Sequence, residues 1–344
     1  MARGSYERAD EPMSSFSTGV ALKVASVYGP VQDDLRLVED TLDSIKHVES
    51  FPALSKMLGA VLGGGGKRVR PAIALLAGKF GDYNVALHVP LAASIELLHT
   101  ATLVHDDVID ASPSRRGRPT ANELFNNAAA VMLGDYMFAH AADFIARTDN
   151  PQVVRLFART LMAIAGGELH QDMSAYEYNS DTLKYFGRIE GKTASLFATS
   201  AEGGGMVGRC TAAEIDHLRS YGLNVGMAFQ VVDDILDFAG DERELGKPIG
   251  SDLMQGTLTL PSLILMERYP KDNPIKKAFR TKKPKTEHIV EAVNMVRNSD
   301  ILEESYRVAR DFRDRALVSL RELPAVPARA SLEEIAEYVL ERRS

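Results

Sequence analysis

Leu97-Leu98-His99-Thr100-Ala101-Thr102-Leu103-Val104-His105-Asp106-Asp107-Val108-Ile109-Asp110 is an apolar run that ends in three carboxylates. The apolar part continues from Pro90 with apolar residues on nearly every side, which predicts a buried helix opened by that proline. Burying charge is costly unless it is paired or coordinates a cation, so aspartates at the mouth of a core helix point to a metal site. At 3.6 residues per turn, His99, Thr102, Asp106 and Asp110 share roughly one face, with Asp107 at its edge.

The pattern returns in Phe229-Gln230-Val231-Val232-Asp233-Asp234-Ile235-Leu236-Asp237-Phe238. Gln230, Asp233, Asp234 and Asp237 again fall at helical spacing among apolar neighbours. One such cluster alone reads equally well as an acidic helix end in solvent. Two, with matching flanks, can face each other across a cavity and present hard oxygen ligands. Magnesium suits that set, because it keeps waters and bridges carboxylates to substrate phosphates.

The whole chain sets the bounds. Its 344 residues, 45% hydrophobic and 25% charged, fit a soluble globular protein with a sizeable core. A net charge of −7 argues against nucleic acid as a partner. The single cysteine, Cys210, excludes an intramolecular disulfide and fits a reducing cytoplasm. Residues 1–18 are polar, lack a signal-peptide core and are expected to be disordered, leaving residues 19–344 as one domain. No uninterrupted run reaches the roughly 20 apolar residues of a membrane span, so stable membrane insertion is not expected.

Helical periodicity covers most of the remainder. Amphipathic helix runs from Val20 to about Leu62, broken near Gly29-Pro30 and Ser50-Phe51-Pro52, and an apolar helix follows from Ala72 to about Phe80. Further helices are predicted over Ala121–Asn127, Ala129–Arg147, Gln152–Met173, Asp181–Met206, Thr211–Ala239, Thr259–Arg268, Glu287–Arg297, Ser299–Glu322 and Ser331–Glu341. Ser112–Pro119 and the Lys/Pro-rich Pro270–Lys285 read as loops. Period-two alternation is scarce, so the expected class is all-α.

Two basic loops accompany the acidic clusters. Gly64-Gly65-Gly66-Lys67-Arg68-Val69-Arg70-Pro71 joins a glycine run to three cations, a combination suited to an anion. It is not a Walker A loop, since Arg68 follows the lysine where Ser or Thr is needed. A plain flexible connector is the alternative. Arg115-Arg116-Gly117-Arg118 begins five residues past Asp110 and can fork onto phosphate oxygens, pair with the nearby aspartates, or do both in turn. Lys192, Thr193 and Lys247 are further phosphate-binding candidates. Nothing supports a Ser/His/Asp arrangement or Cys/His zinc spacing. Cations gathered on a diphosphate stabilise it as a leaving group, and an apolar pocket would shelter an allylic carbocation left behind.

The set Gly-Gly-Lys-Arg-x-Arg-Pro (65–71), Leu-Leu-His (97–99), Asp-Asp-x-x-Asp-x-x-x-x-Arg-Arg-Gly (106–117), Gly-Lys-Thr (191–193), Phe-Gln-x-x-Asp-Asp-x-x-Asp (229–237) and Gly-Lys-Pro-x-Gly-x-Asp (246–252) resembles the trans-isoprenyl (polyprenyl) diphosphate synthases. The resemblance implies an isoprenoid synthase-type helical bundle around a central cavity and, in solution, a homodimer. It implies that Asp106, Asp107, Asp110, Asp233, Asp234 and Asp237 hold three magnesium ions on an allylic diphosphate. It places isopentenyl diphosphate on Lys67, Arg70, His99 and Arg116, and the allylic diphosphate on Arg115, Lys192, Thr193, Gln230 and Lys247. Thr193 and Gln230 also present oxygens to the carbocation. The implied reaction is ionisation, attack by the isopentenyl double bond, and proton loss to the departing diphosphate.

One departure stands out. Many relatives carry Gly-Lys where this chain has Gly256-Thr257, so one diphosphate contact is weaker or replaced by another cation. Ala101 and Thr102, one turn before Asp106, are small, which leaves room for a growing chain and leans the reading toward a medium or long product. Met137, Phe138 and Phe144 are candidates for the tunnel floor, with core packing as the equal alternative. The rival readings are a short-chain (farnesyl or geranylgeranyl) synthase, a class I terpene cyclase, which needs no second diphosphate site, and a non-catalytic partner subunit, which needs no intact acidic clusters.

Overall fold

A computed structural model describes residues 27–115, 117–240, 249–281 and 284–342. The expected disorder of residues 1–18, and the candidates Arg116 and Lys247, lie outside the described residues. In chain order the helices are α1 (Gln32–Ser44), α2 (Pro52–Leu62), α3 (Val69–Gly78), α4 (Val85–Ile109), α5 (Ala121–Leu124), α6 (Asn127–Ala146), α7 (Pro151–Met173), α8 (Thr182–Ile189), α9 (Ser195–Val207), α10 (Ala212–Ala239), α11 (Ser251–Met254), α12 (Leu260–Arg268), α13 (Pro274–Ala278), α14 (Thr286–Arg297), α15 (Ile301–Arg321) and α16 (Pro327–Glu341). A π-helical turn, Glu190–Ala194, joins α8 to α9 without interrupting the coil.

The chain punctuates these helices with identifiable caps. Asn84 accepts from the Ala86 N–H, Asn150 from those of Gln152 and Val153, and Asp181 from those of Leu183 and Lys184. Thr211 and Glu214 close a reciprocal capping box at the start of α10. The cap at Asn84 explains a correction: α4 starts at Val85, and Pro90 lies inside it rather than opening it. So near the N-terminus the missing proline N–H costs only the bond to Ala86. Two other loops are more ordered than expected. Ser114–Arg115 and Arg118–Pro119 form a minimal antiparallel ladder around Gly117, whose φ of 72° suits glycine. Asn273 caps the short α13 inside the Lys/Pro-rich segment.

Two apolar clusters form the interior. The first gathers α3, α4, α6 and α9, with Ile73, Ile95, Leu97, Phe144 and Phe197 almost wholly excluded from solvent. The second gathers α12, α14 and α15 around Val232, Ile235 and Phe238. Helix α10 runs through both: Leu218, Tyr221 and Val225 belong to the first cluster, Val231 and Ile235 to the second. Helix α4 is the one described helix long and apolar enough to cross a membrane, and 67% of that stretch is buried inside the protein. It is a core helix, and it ends at Asp106, Asp107 and Asp110.

Candidate active site

Three elements carry the chemistry: the last turns of α4, the π turn before α9, and the C-terminal half of α10. Their approach is set by small residues. A Cβ at Gly226 on α10 would lie 2.5 Å from the Ala194 Cα, and one at Gly167 on α7 would lie 3.0 Å from the Lys192 nitrogen. Without side chains there, α7 and α10 close directly onto the π turn. Such a turn holds one residue more than an α turn and re-aims the side chains within it, here Lys192 and Thr193.

The first acidic cluster faces Lys192. Its ammonium is 2.5 Å from Glu168 Oε2 on α7, and its charge also acts on Asp106 and Asp110. Burial opposes the ammonium's charge, but Asp106 and Glu168 more than reverse that and raise its pKa. Burial pushes the Asp106 carboxyl up to about 6, with Glu168 and Asp110 adding to the rise and Lys192 and Arg115 opposing it. Asp107 turns inward, 5% exposed, and accepts from Arg115 Nε at 2.8 Å. Arg115 is thus engaged by an aspartate in this state.

The second cluster is largely enclosed by internal donors. Tyr185 OH donates to Asp234 Oδ2 at 2.7 Å and Gln230 Nε2 to Asp234 Oδ1 at 2.8 Å. Burial raises the Asp234 carboxyl to about 7 against the pull of those two bonds. Asp237, with no exposed surface, accepts from Ser251 Oγ at 2.7 Å and from the Asp252 N–H at 3.2 Å. Asp233 remains 46% exposed. Thr193 Oγ1 donates to Gln230 Oε1 at 2.7 Å, so one line of bonds runs from the π turn to the second cluster.

A basic pocket completes the ring. Arg70 Nη1 lies 3.2 Å from His99 Nε2, and its guanidinium packs over the rings of Phe197 and Phe229 at 4.2 and 5.6 Å. Lys67 Nζ sits 5.6 Å from the Tyr338 ring, and Tyr28 OH donates to the Lys67 carbonyl at 2.8 Å. His99 is two turns before Asp106 on α4, while Phe229 adjoins Gln230 on α10. The pocket therefore borders both acidic clusters. Arg342, after the end of α16, stacks on Phe229 at 3.8 Å and lies 3.6 Å from Asp233 Oδ1.

Sequence reading missed Glu168 and Arg342. Glu168 stands in a Gly-Gly-Glu run whose glycines signal close packing, a usable hint; Arg342 gives no local signal, because only the fold brings the chain's end to Phe229. Among the described residues no group of three His, Cys, Asp or Glu side chains converges closely enough to hold a metal ion alone. Asp110 and Asp233 keep open carboxylate oxygens, hard donors of the kind a magnesium ion takes in small number beside water and phosphate.

Comparison with known proteins agrees with the fold and the motifs. The family described as polyprenyl synthetase matches residues 51–296. The chain belongs to this family, and it is a prenyltransferase. Heptaprenyl diphosphate synthase component 2 of Geobacillus stearothermophilus is 37% identical over 323 residues, covering 93% of this chain and 99% of the relative. The crystal structure of a polyprenyl synthase from Caulobacter crescentus CB15, complexed with calcium and isoprenyl diphosphate, superposes with a TM-score of 0.88 at 32% identity, covering 93% of this chain and 98% of that one. A geranylgeranyl pyrophosphate synthase from Lactobacillus brevis ATCC 367 superposes with a TM-score of 0.84 at 33% identity, covering 91% and 97%. These neighbours share the all-α isoprenoid synthase fold.

Proposed function

We propose that this chain is an all-trans polyprenyl diphosphate synthase that joins isopentenyl diphosphate head-to-tail to an allylic diphosphate and builds a medium or long product. The observation that carries this is the separate basic pocket of Lys67, Arg70 and His99 beside two acidic clusters. A cyclase acting on one diphosphate has no use for that second anion site. The half-buried Thr102, one turn before Asp106, and the heptaprenyl relative support the longer product; Ala101 is fully enclosed and adds nothing to that, and the geranylgeranyl relative supports a shorter product.

The family uses magnesium. The resemblance gives all six aspartates to three ions; we assign the ions instead to Asp106, Asp110 and Asp233 as direct ligands. Asp107, Asp234 and Asp237 are buried and already bonded to Arg115, Tyr185, Gln230 and Ser251, and so hold the clusters in place. Bound there, magnesium neutralises a diphosphate leaving group. Lys192, Arg115 and Lys247 contact the allylic diphosphate, and Arg116 joins the isopentenyl pocket. The Thr193 and Gln230 oxygens face the allylic cation after the C–O bond breaks and diphosphate leaves with the electron pair. The isopentenyl double bond forms the new C–C bond, and a proton leaves to the diphosphate. We infer a single domain over residues 19–344, a cytoplasmic location and a homodimer. The name of the heptaprenyl relative, a component 2, favours one other arrangement, in which a partner subunit is required.

The test is incubation of purified protein with magnesium, labelled isopentenyl diphosphate and, separately, dimethylallyl, geranyl, farnesyl or geranylgeranyl diphosphate, with products sized by chromatography. Products beyond twenty carbons are expected. Products ending at fifteen or twenty carbons would make it a short-chain synthase, and no incorporation with any primer would turn the reading to a cyclase or a partner-dependent subunit.

A further inference from the structure

Arg68 is the middle cation of the glycine-rich loop, and its guanidinium is taken by two carboxylates of the protein itself. Its Nε and Nη2 fork onto the two carboxylate oxygens of Glu39 on α1, the Nη2 bond being 3.0 Å, while Nη1 reaches Glu96 Oε1 on α4 at 2.6 Å. The side chain is 14% exposed and that of Glu96 is 9% exposed. The Arg68 backbone sits in the left-handed region, with φ 50°, at the cap of α3. A non-glycine residue holds that conformation only where its surroundings fix it. Both carboxylates supply that restraint.

We propose that Arg68 is a positioning residue for the second diphosphate pocket: by occupying Glu96 and Glu39 it sets Lys67 and Arg70 on either side of itself and keeps the buried Glu96 carboxylate from capturing them. This rests on the proposal that Lys67, Arg70 and His99 hold isopentenyl diphosphate. Glu96 lies one turn before His99 on α4, so the Arg68–Glu96 bond ties the cap of α3 to the turn that carries His99. Arg70 in turn lies against His99. A buried carboxylate deprived of its guanidinium takes the nearest remaining cation, because an uncompensated buried charge is costly. Arg70 and Lys67 are the cations nearest in sequence. Either one drawn to Glu96 is lost to a diphosphate.

The reading separates from simple structural support by which substrate it affects and by rescue. In Arg68→Gln, KM for isopentenyl diphosphate should rise about tenfold, while KM for the allylic primer and kcat at saturation stay within twofold. Adding Glu96→Gln should recover most of that loss, since the competing carboxylate is gone. Should Arg68→Gln fail to fold, Glu39→Gln removes the fork from the more exposed side and should raise the same KM about threefold. Parallel rises in both KM values, or a double variant no better than Arg68→Gln, would overturn the proposal. The wild-type incorporation assay tests the underlying reading separately: an inactive wild type overturns the function, whereas an active wild type with unchanged isopentenyl KM in the variants overturns the role of Arg68 alone.

Discussion

The two acidic clusters share one spacing and meet opposite surroundings. At the end of α4, Asp110 is exposed and Asp106 half-buried, with only Asp107 turned inward to Arg115. On α10 the ratio reverses: Asp234 and Asp237 are enclosed by Tyr185, Gln230, Ser251 and a backbone amide, and Asp233 alone stays open. Position in the helix accounts for the difference. The first motif straddles a helix end, where the chain leaves the core. The second sits within a helix that α12, α14 and α15 cover. Identical letters thus divide the work, with more open carboxylates on one side and more structural ones on the other.

The largest break in this symmetry should come from Asp106→Asn, which removes an open carboxylate. A fall in kcat of about a thousandfold is expected, against tenfold or less for Asp107→Asn, with the melting temperature of metal-free Asp106→Asn at neutral pH equal to or above that of the parent. Equal losses at both positions would erase the division within the first cluster. Next in size is product length: Thr102 is half-buried on the face of Asp106, whereas Ala101 is fully enclosed. Thr102→Phe should shorten the product by several isoprene units, read by chromatography. Ala101→Phe instead overpacks the core, at about 1–3 kcal/mol. Unshortened product in Thr102→Phe would remove the open face of α4 from the path of the chain.

Stability should invert the order seen in activity. Asp237→Ala leaves the Ser251 hydroxyl and the Asp252 amide without their acceptor and should cost about 2 kcal/mol, while Asp233→Ala should shift the melting temperature by less than a degree. Similar shifts in thermal denaturation would mean that burial does not distinguish the two. The smallest effect concerns pH. A folded Asp106 carboxyl raised to about 6 favours the protonated form, so without metal its contribution to stability is full below the ordinary aspartate range and is lost as pH rises through 6. Magnesium needs the ionised form, which reverses the sign. The melting-temperature gain from magnesium and inorganic diphosphate should therefore shrink by about half between pH 7.5 and 5.5. A constant gain would place the cation elsewhere.

Much of this was legible in residues alone. Helical period, caps and the scarcity of alternation led to an all-α fold, and the extents of α7 and α10 fall within two residues of expectation. The pairings Arg70 with His99 and Thr193 with Gln230 join residues that the motifs had already singled out. Orientation was not legible. Helical spacing places Asp233, Asp234 and Asp237 near one another, but cannot reveal that Tyr185 and Ser251 arrive to occupy two of them, since both partners come from other segments. The same holds for Arg68, which looked like an anion ligand by composition and is taken by Glu39 and Glu96 from two other helices. Pro90 misled because a proline marks a helix start only when no better cap precedes it, and Asn84 does.

The π turn at Glu190–Ala194 places two opposing pressures on one residue. Deleting Gly191 would let α8 and α9 merge into a single regular helix with better hydrogen bonding, and such a variant would be expected to resist heat at least as well as its parent. It would also rotate Lys192 and Thr193 by about 100° relative to the preceding turn. Heat resistance and turnover would then pull that length of chain in opposite directions, and a selection for thermal robustness alone would discard the extra residue first.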